Sequence, residues 1–157
     1  MEQMHPLHSP SPALRVVLDS NIWLDILVFD DPQTRPIRAA LERGALLALI
    51  DARCLRELAH VLDYPQFALR NVNKSAALDT VARLAQQVDW LPVESASALP
   101  QCKDPDDQKF LELAHAAGAA WLISKDRAVL KLAKRTARDF GFRIAKPEVF
   151  NAVCMLC

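Results

Sequence analysis

Acidic residues that follow apolar runs are the feature of this 157-residue sequence best suited to chemistry. Asp19 ends one short apolar run, Glu57 lies two turns into the helix predicted after the next run, and Asp126 follows a later run. Three further acids stand at the start of another predicted helix: Asp104, Asp106 and Asp107. If the runs are parallel strands, their carboxyl ends share one edge of the sheet, and the acids converge there.

A convergent group of carboxylates predicts a bound cation. Carboxylates brought close together repel and raise one another's pKa, so a fold keeps such a group readily only when a cation neutralises it. Oxygen ligands without cysteine or histidine suit Mg²⁺ or Mn²⁺. Such an ion activates a bound water and offsets the charge on phosphate, so the pattern indicates hydrolysis of a phosphodiester.

Each acid taken alone also fits a structural role. An aspartate just before a helix accepts hydrogen bonds from free N–H groups and complements the helix dipole, which describes Asp19 and Asp126. Asp104 with Pro105 fits an N-cap followed by the first helical position, so we interpret Asp104 as a cap. Glu57 alone is typical of a solvated helix edge. The shared position of the acids, rather than any single residue, favours a common site.

Composition restricts the class of protein. Apolar residues make up 52% of the chain and charged residues 24%, which is typical of a globular domain. Basic and acidic residues number 19 each, which argues against a highly basic nucleic-acid coat but allows a local basic face. The longest apolar stretch, residues 116–123, is too short for a bilayer, and the proline-containing first 14 residues do not resemble a secretory signal. Four scattered cysteines favour a reduced, cytoplasmic setting.

Strand and helix patterns alternate along the chain. The predicted strands are 15–19, 45–50, 90–93, 121–123 and 142–144. The predicted helices begin near residues 22, 34, 51, 74, 104 and 127. The helix that begins at 74 is predicted to run to 88, and the helix that begins at 127 to run to 140. A final turn is predicted at 147–150. This alternation predicts an α/β protein, a three-layer α/β/α sandwich with a central parallel sheet. We expect one domain at 15–150, a flexible tail at 1–14 and a second tail at 151–157.

A basic stretch follows the last acid. Five basic residues are predicted to share one face of a single helix: Arg127, Lys131, Lys134, Arg135 and Arg138. Such a face is either ordinary solvated surface or a contact for a phosphate backbone, and the sequence leaves both open. No aromatic platform for base stacking is evident.

Four motifs in this order resemble the PIN-domain nucleases, and in particular the branch of toxin components related to VapC-type ribonucleases. The motifs are VLDSN at 17–21, LREL at 55–58, DPDDQKFLELA at 104–114 and WLISKD at 121–126. The resemblance covers about residues 14–150. It implies a Mg²⁺- or Mn²⁺-dependent endoribonuclease, a homodimer, that acts on RNA and is paired with a small antitoxin protein.

The resemblance also implies roles for individual residues. It assigns a catalytic and metal-binding quartet: Asp19, Glu57, Asp107 and Asp126. The third acid is placed at Asp107 because the family acid stands seven residues before a small helix residue, here Ala114. The residues expected to support the site or bind substrate are Ser20, Asn21, Lys125, Arg127 and Lys131. Lys125 and Ala128 depart from the family's usual Gly and Asp, which affects the substrate groove rather than the quartet.

Three other functions compete with this hypothesis. An Asp-based phosphohydrolase of the haloacid-dehalogenase type needs a second aspartate two residues after the first, where this chain has Asn21. A receiver-type signalling domain needs an aspartate at the end of its third strand, and the predicted strand at 90–93 ends without one. A catalytically inactive binding module of the same fold also remains open.

Overall fold

Five parallel strands form one sheet in the computed structural model, which describes residues 12–90 and 98–156. In the described residues the spatial order is β3-β2-β1-β4-β5. The strands are β1 (Leu14–Leu18), β2 (Leu46–Ile50), β3 (Ala85–Gln87), β4 (Trp121–Ile123) and β5 (Arg143–Ala145). Helices flank this sheet, so the predicted α/β architecture with a central parallel sheet is confirmed.

The helices alternate with the strands. In chain order they are α1 (Ser20–Leu24), continued by a π-helical turn (Asp25–Phe29), α2 (Arg35–Glu42), α3 (Ala52–Val61), α4 (Pro65–Ala68), α5 (Lys74–Leu84), a 3₁₀ turn (Pro105–Asp107) leading into α6 (Gln108–Ala116), α7 (Arg127–Leu130), α8 (Ala133–Asp139) and α9 (Pro147–Val153). Among the described residues, no helix is long and apolar enough to cross a membrane.

The core is built from both faces of the sheet. The central strands β1 and β4 are apolar and largely buried, with Val16, Val17 and Leu122 at most 1% exposed. Parallel strands covered by helices on both faces require such continuous apolar runs, which explains why the sequence shows them. In register, Leu18 pairs with Ile123, so the residues that follow β1 and β4 emerge side by side.

The third strand differs from the prediction. Residues 85–87, predicted as the end of a helix, leave α5 at Leu84 and pair with β2, where Ala85 lies opposite Ala48. Hydrogen bonding to a distant strand overrides the helical tendency of Ala and Gln in this segment. The strand predicted at 90–93 is wrong at Trp90, which is not in a strand, and its remaining residues lie outside the described part of the chain.

The C-terminal part also differs from the prediction. The single helix predicted over 127–140 is wrong, because α7 and α8 are separate and Leu132 between them has a ψ of 0°. The break lets both segments contact β5. The final turn is a helix that extends to Val153, and the buried Asn151 donates from Nδ2 to the Gln33 carbonyl at 2.8 Å. The packed chain therefore continues past residue 150, whereas residues 1–11 of the predicted N-terminal tail lie outside the described residues.

Candidate metal centre

Asp19 occupies the first position after β1, where it is only 3% exposed. Its Oδ1 accepts a hydrogen bond from the Ile22 N–H at 3.0 Å, so the residue caps α1. Its Oδ2 accepts from the hydroxyl of Ser124, the first residue after β4. Burial raises the pKa of Asp19 from 3.8 to about 6, although these hydrogen bonds lower it, and nearby Asp126 raises it further.

Three more acids meet beside Asp19. Asp126 lies at the N-cap of α7, and its Oδ1 accepts from the Ala128 N–H at 2.8 Å. Asp104 and Asp107 come from the turn that leads into α6. One carboxylate oxygen from each of Asp104, Asp107 and Asp126 lies within 4.8 Å of the other two, which is compatible with coordination of one ion.

The charge of this group is uncompensated within the described residues. Burial raises the pKa of Asp107 to about 7, and a side-chain hydrogen bond with Asp126, followed by the charges of Asp126, Asp104 and Asp19, raises it further. The Asp107 Oδ2 atom is buried and has no hydrogen-bond partner in the described part of the chain. No ion pair between described residues includes any of these four acids: Asp19, Asp104, Asp107 and Asp126.

These observations fit a divalent cation. An orphaned buried carboxylate oxygen is costly unless it is protonated or ligates an ion. Because the donor set contains only oxygen, a hard cation such as Mg²⁺ or Mn²⁺ fits it better than a softer metal. The residues present therefore suit the kind of ion that the sequence predicts.

Glu57, the remaining acid of the predicted quartet, has different surroundings. It lies on α3, its Oε2 accepts from the Ser20 hydroxyl, and its Oε1 accepts from Lys109 Nζ at 2.7 Å. It adjoins the other acids through Ser20, which follows Asp19 directly, but it does not belong to the three-acid group. The structure thus brings Asp19, Asp107 and Asp126 together and leaves Glu57 paired with a lysine.

The predicted substrate-binding residues are dispersed. Lys125 is exposed, but its Nζ lies 2.5 Å from Oδ2 of the buried Asp25, so this aspartate already balances its charge. Arg127 and Lys131 are exposed on and beside α7, and Asn21 is exposed at the start of α1. Ser20 binds Glu57, as described above. The basic residues predicted to share one helix face are divided among α7, the turn that follows it and α8, because that helix is broken.

Three residues at the site were missed or misjudged in the sequence. Ser124 was missed, although its place beside Asp19 follows once β1 and β4 pair in register. Lys109 was missed because nothing in the sequence shows that α6 packs against α3. Asp104 does act as a cap, since its Oδ1 accepts from the Asp106 N–H at 3.0 Å, yet it also joins the acid group.

Comparison with known proteins gave two findings and one absence. A family model described as PIN domain matches residues 15–128. The fold is similar to a solved structure of VapBC2 from Rickettsia felis bound to a DNA fragment from their promoter, with a TM-score of 0.56 and 12% identity over 83% of this chain and 97% of that chain. At this identity the likeness concerns the fold alone. No curated protein matches the sequence.

Proposed function

We propose, from the premise that this chain belongs to the PIN domain family, that it is an endoribonuclease dependent on Mg²⁺ or Mn²⁺. The observation that carries the proposal is the unpaired acid group, in which Asp107 Oδ2 is buried without a hydrogen-bond partner among the described residues. A structural acid group would be expected to contain its own counter-charges. Among the residues that the structure describes, no ion pair supplies such a counter-charge to this group, which lies at the sheet edge where ligands of open α/β proteins bind.

The position of each acid determines its proposed role in binding the ion. Asp104, Asp107 and Asp126 would hold the ion, and Asp19, fixed between the Ile22 N–H and the Ser124 hydroxyl, would complete its shell. When bound, the ion supplies a Lewis acid for the phosphate and lowers the pKa of a coordinated water. Asp19 follows a buried strand, so it can keep its carboxylate in place without the entropy cost of ordering a loop.

Basic residues beside α7 would contact the RNA backbone. Arg127 follows Asp126 directly and Lys131 lies one helical turn later; both are exposed and have no ion-pair partner among the described residues. Contacts to phosphate give affinity that falls with salt and tolerates changes of sequence. Lys125 contributes less to such contacts, because the buried Asp25 already matches its charge.

We also propose that the protein is a cytoplasmic toxin component that forms a homodimer and binds a small antitoxin. The sequence resemblance supports this, as does the similarity of the fold to VapBC2. A neighbouring short reading frame for a DNA-binding protein, whose co-expression restores growth, would support the toxin assignment. Light scattering at micromolar concentration should give twice the mass of 17.5 kDa, and a monomeric mass would refute the dimer.

The decisive experiment measures cleavage of a mixed single-stranded RNA with Mn²⁺ or with EDTA. Wild type should cleave only with Mn²⁺, and Asp19→Asn, which keeps the shape but removes a charge, should not cleave. Asp106→Asn is the matched control, because Asp106 lies in the same motif but outside the acid group. Cleavage that survives EDTA, or equal cleavage by wild type and Asp19→Asn, would refute the metal-nuclease proposal. Hydrolysis of a phosphomonoester instead of RNA would favour the phosphohydrolase alternative.

A further inference from the structure

Lys109 places its ammonium between the Glu57 carboxylate and the backbone carbonyl of Asp106. Its Nζ lies 2.7 Å from Glu57 Oε1 and also donates to the backbone carbonyl of Asp106. The lysine side chain is only 16% exposed, and its ammonium lies 5.0 Å from the centre of the Phe110 ring. A hard divalent ion uses the same kinds of oxygen donor, a carboxylate and a backbone carbonyl.

Glu57 has no need of a metal in this arrangement. One of its oxygens accepts from Lys109, and the other accepts from the Ser20 hydroxyl. Asp107, by contrast, has a buried oxygen without a hydrogen-bond partner in the described residues. At this edge of the sheet, the charge of Glu57 is therefore compensated by Lys109, whereas the charge of the acid group is not compensated within the described residues.

A second ion pair besides Lys109–Glu57 connects α3 and α6. Arg53 and Glu112 already connect the same two helices, with Arg53 Nη1 lying 2.7 Å from Glu112 Oε1. These two pairs follow one another along the helices, because Arg53 and Glu57 are four residues apart and Lys109 and Glu112 are three apart. The Lys109–Glu57 pair, which is the nearer of the two to the acid group, is therefore not the sole ion pair that connects these helices.

We infer that Lys109 is a built-in cation that takes the place of a second metal, so that this site binds one divalent ion and Glu57 is not one of its ligands. The inference rests on the proposed function, since it concerns the ion proposed there. Glu57 is then a positioning residue that orients Ser20 and, through the adjacent backbone, Asp19. Lys109 balances the charge of Glu57 whether or not the ion is bound.

The test counts bound ions rather than cleavage. Isothermal titration calorimetry and electron paramagnetic resonance with Mn²⁺ should show one ion per wild-type chain. Lys109→Met removes the charge with little change of volume, and should raise the count to two by freeing Glu57 and the Asp106 carbonyl. Lys109→Met combined with Glu57→Gln should return the count to one. Glu112→Gln, which breaks the neighbouring pair of the same helices, is the matched control and should leave one ion.

Single variants at the acids provide the second measurement. Glu57→Gln in an otherwise wild-type chain should change Mn²⁺ affinity by less than about threefold, whereas Asp107→Asn should weaken it by tenfold or more. This arm decides the question even if Lys109→Met does not fold, which circular dichroism would reveal. Two ions in wild type, one ion in folded Lys109→Met, or a tenfold loss in Glu57→Gln would overturn the inference and leave the proposed nuclease intact. No Mn²⁺ binding by wild type would overturn both.

Discussion

Asp19 and Asp51 occupy equivalent positions in the backbone, each at the N-cap of a helix that follows a strand. Each follows one of two adjacent strands, β1 and β2, and both are buried, at 3% and 0% exposure. Each caps the next helix with Oδ1, which accepts from the Ile22 N–H and the Cys54 N–H respectively, both at 3.0 Å. Local structure therefore gives no reason for them to differ in function.

The difference lies in what binds the second oxygen. Asp51 Oδ2 accepts from Arg53 Nε at 3.2 Å and Nη2 at 2.9 Å, so a cation matches its charge. Within the described part of the chain, Asp19 Oδ2 accepts only from the neutral hydroxyl of Ser124, and burial raises the pKa of Asp19 to about 6. An acid at a strand end serves the fold when the protein supplies its cation, and becomes available to a ligand when the protein does not.

The largest expected effect separates these two aspartates by activity. Asp19→Asn should lower Mn²⁺-dependent RNA cleavage by about 100-fold or more, since the ion contributes several kcal/mol to the transition state. Asp51→Asn should retain cleavage within about threefold per folded molecule, because Asp51 faces Arg53 rather than the acid group. Initial rates on a labelled single-stranded RNA, corrected for the folded fraction, measure both. A comparable loss in Asp51→Asn would contradict the distinction.

Stability of the metal-free chain should change in opposite directions at the two positions. Asp51→Asn keeps a capping side chain but leaves Arg53 with one partner fewer, and should lower the free energy of unfolding by about 1–2 kcal/mol. Asp19→Asn removes a buried charge that has no ion-pair partner among the described residues, and should raise the free energy of unfolding by about 1–2 kcal/mol near pH 7.5. Urea denaturation in EDTA gives both values. If both variants lose stability equally, charge compensation is not what distinguishes the sites.

The dependence of stability on pH should reveal the same uncompensated acids. Burial raises the pKa of Asp19 to about 6 and of Asp107 to about 7 from 3.8, so the folded chain holds more protons than the unfolded chain in this range. The free energy of unfolding should therefore fall, relative to Asp19→Asn/Asp107→Asn, as the pH rises from about 4 to about 7. Urea titrations in EDTA at several pH values measure this difference, and Mn²⁺ should reverse the loss at neutral pH. If the difference in the free energy of unfolding does not change with pH, the raised pKa values of Asp19 and Asp107 are refuted.

The smallest expected effect concerns Asp104, which both caps a turn and faces the acid group. Asp104→Ala should cost about 1 kcal/mol of stability through the lost cap. It should also weaken Mn²⁺ binding by about tenfold, which a cap alone would not do. Asp106→Ala is the control and should leave Mn²⁺ affinity unchanged. Unchanged affinity in Asp104→Ala would restore the interpretation of Asp104 as a cap only.

The parts of the fold that could be predicted are those specified by local pattern. The apolar runs of β1, β2 and β4 appear in the sequence because strands covered on both faces must be apolar. The PIN-domain resemblance, carried by motifs at the ends of these strands, is confirmed by the family match. The third strand could not be found, because Ala85–Gln87 is polar and short and becomes a strand only by pairing with β2.

The site could be predicted only as a set of acids at one edge. Their roles in catalysis and substrate binding stay predictions, because the structure shows their positions and not their chemistry. The cap interpretation of Asp104 was incomplete, since hydrogen bonding to the next turn does not prevent a carboxylate from facing a second group. The contact between Lys109 and Glu57 could not be predicted, because α3 and α6 are remote in sequence.

The sequence by itself determined which residues reach the functional edge of the sheet. In a parallel sheet the carboxyl ends of all strands lie at the same edge, so an acid directly after a strand has its place assigned by connectivity. Tertiary structure alone decided what each acid meets there: Arg53 for Asp51, Lys109 for Glu57, and other carboxylates for Asp107. The physical reason is that charge compensation acts over a few ångströms in space, between groups whose separation along the chain carries no such information.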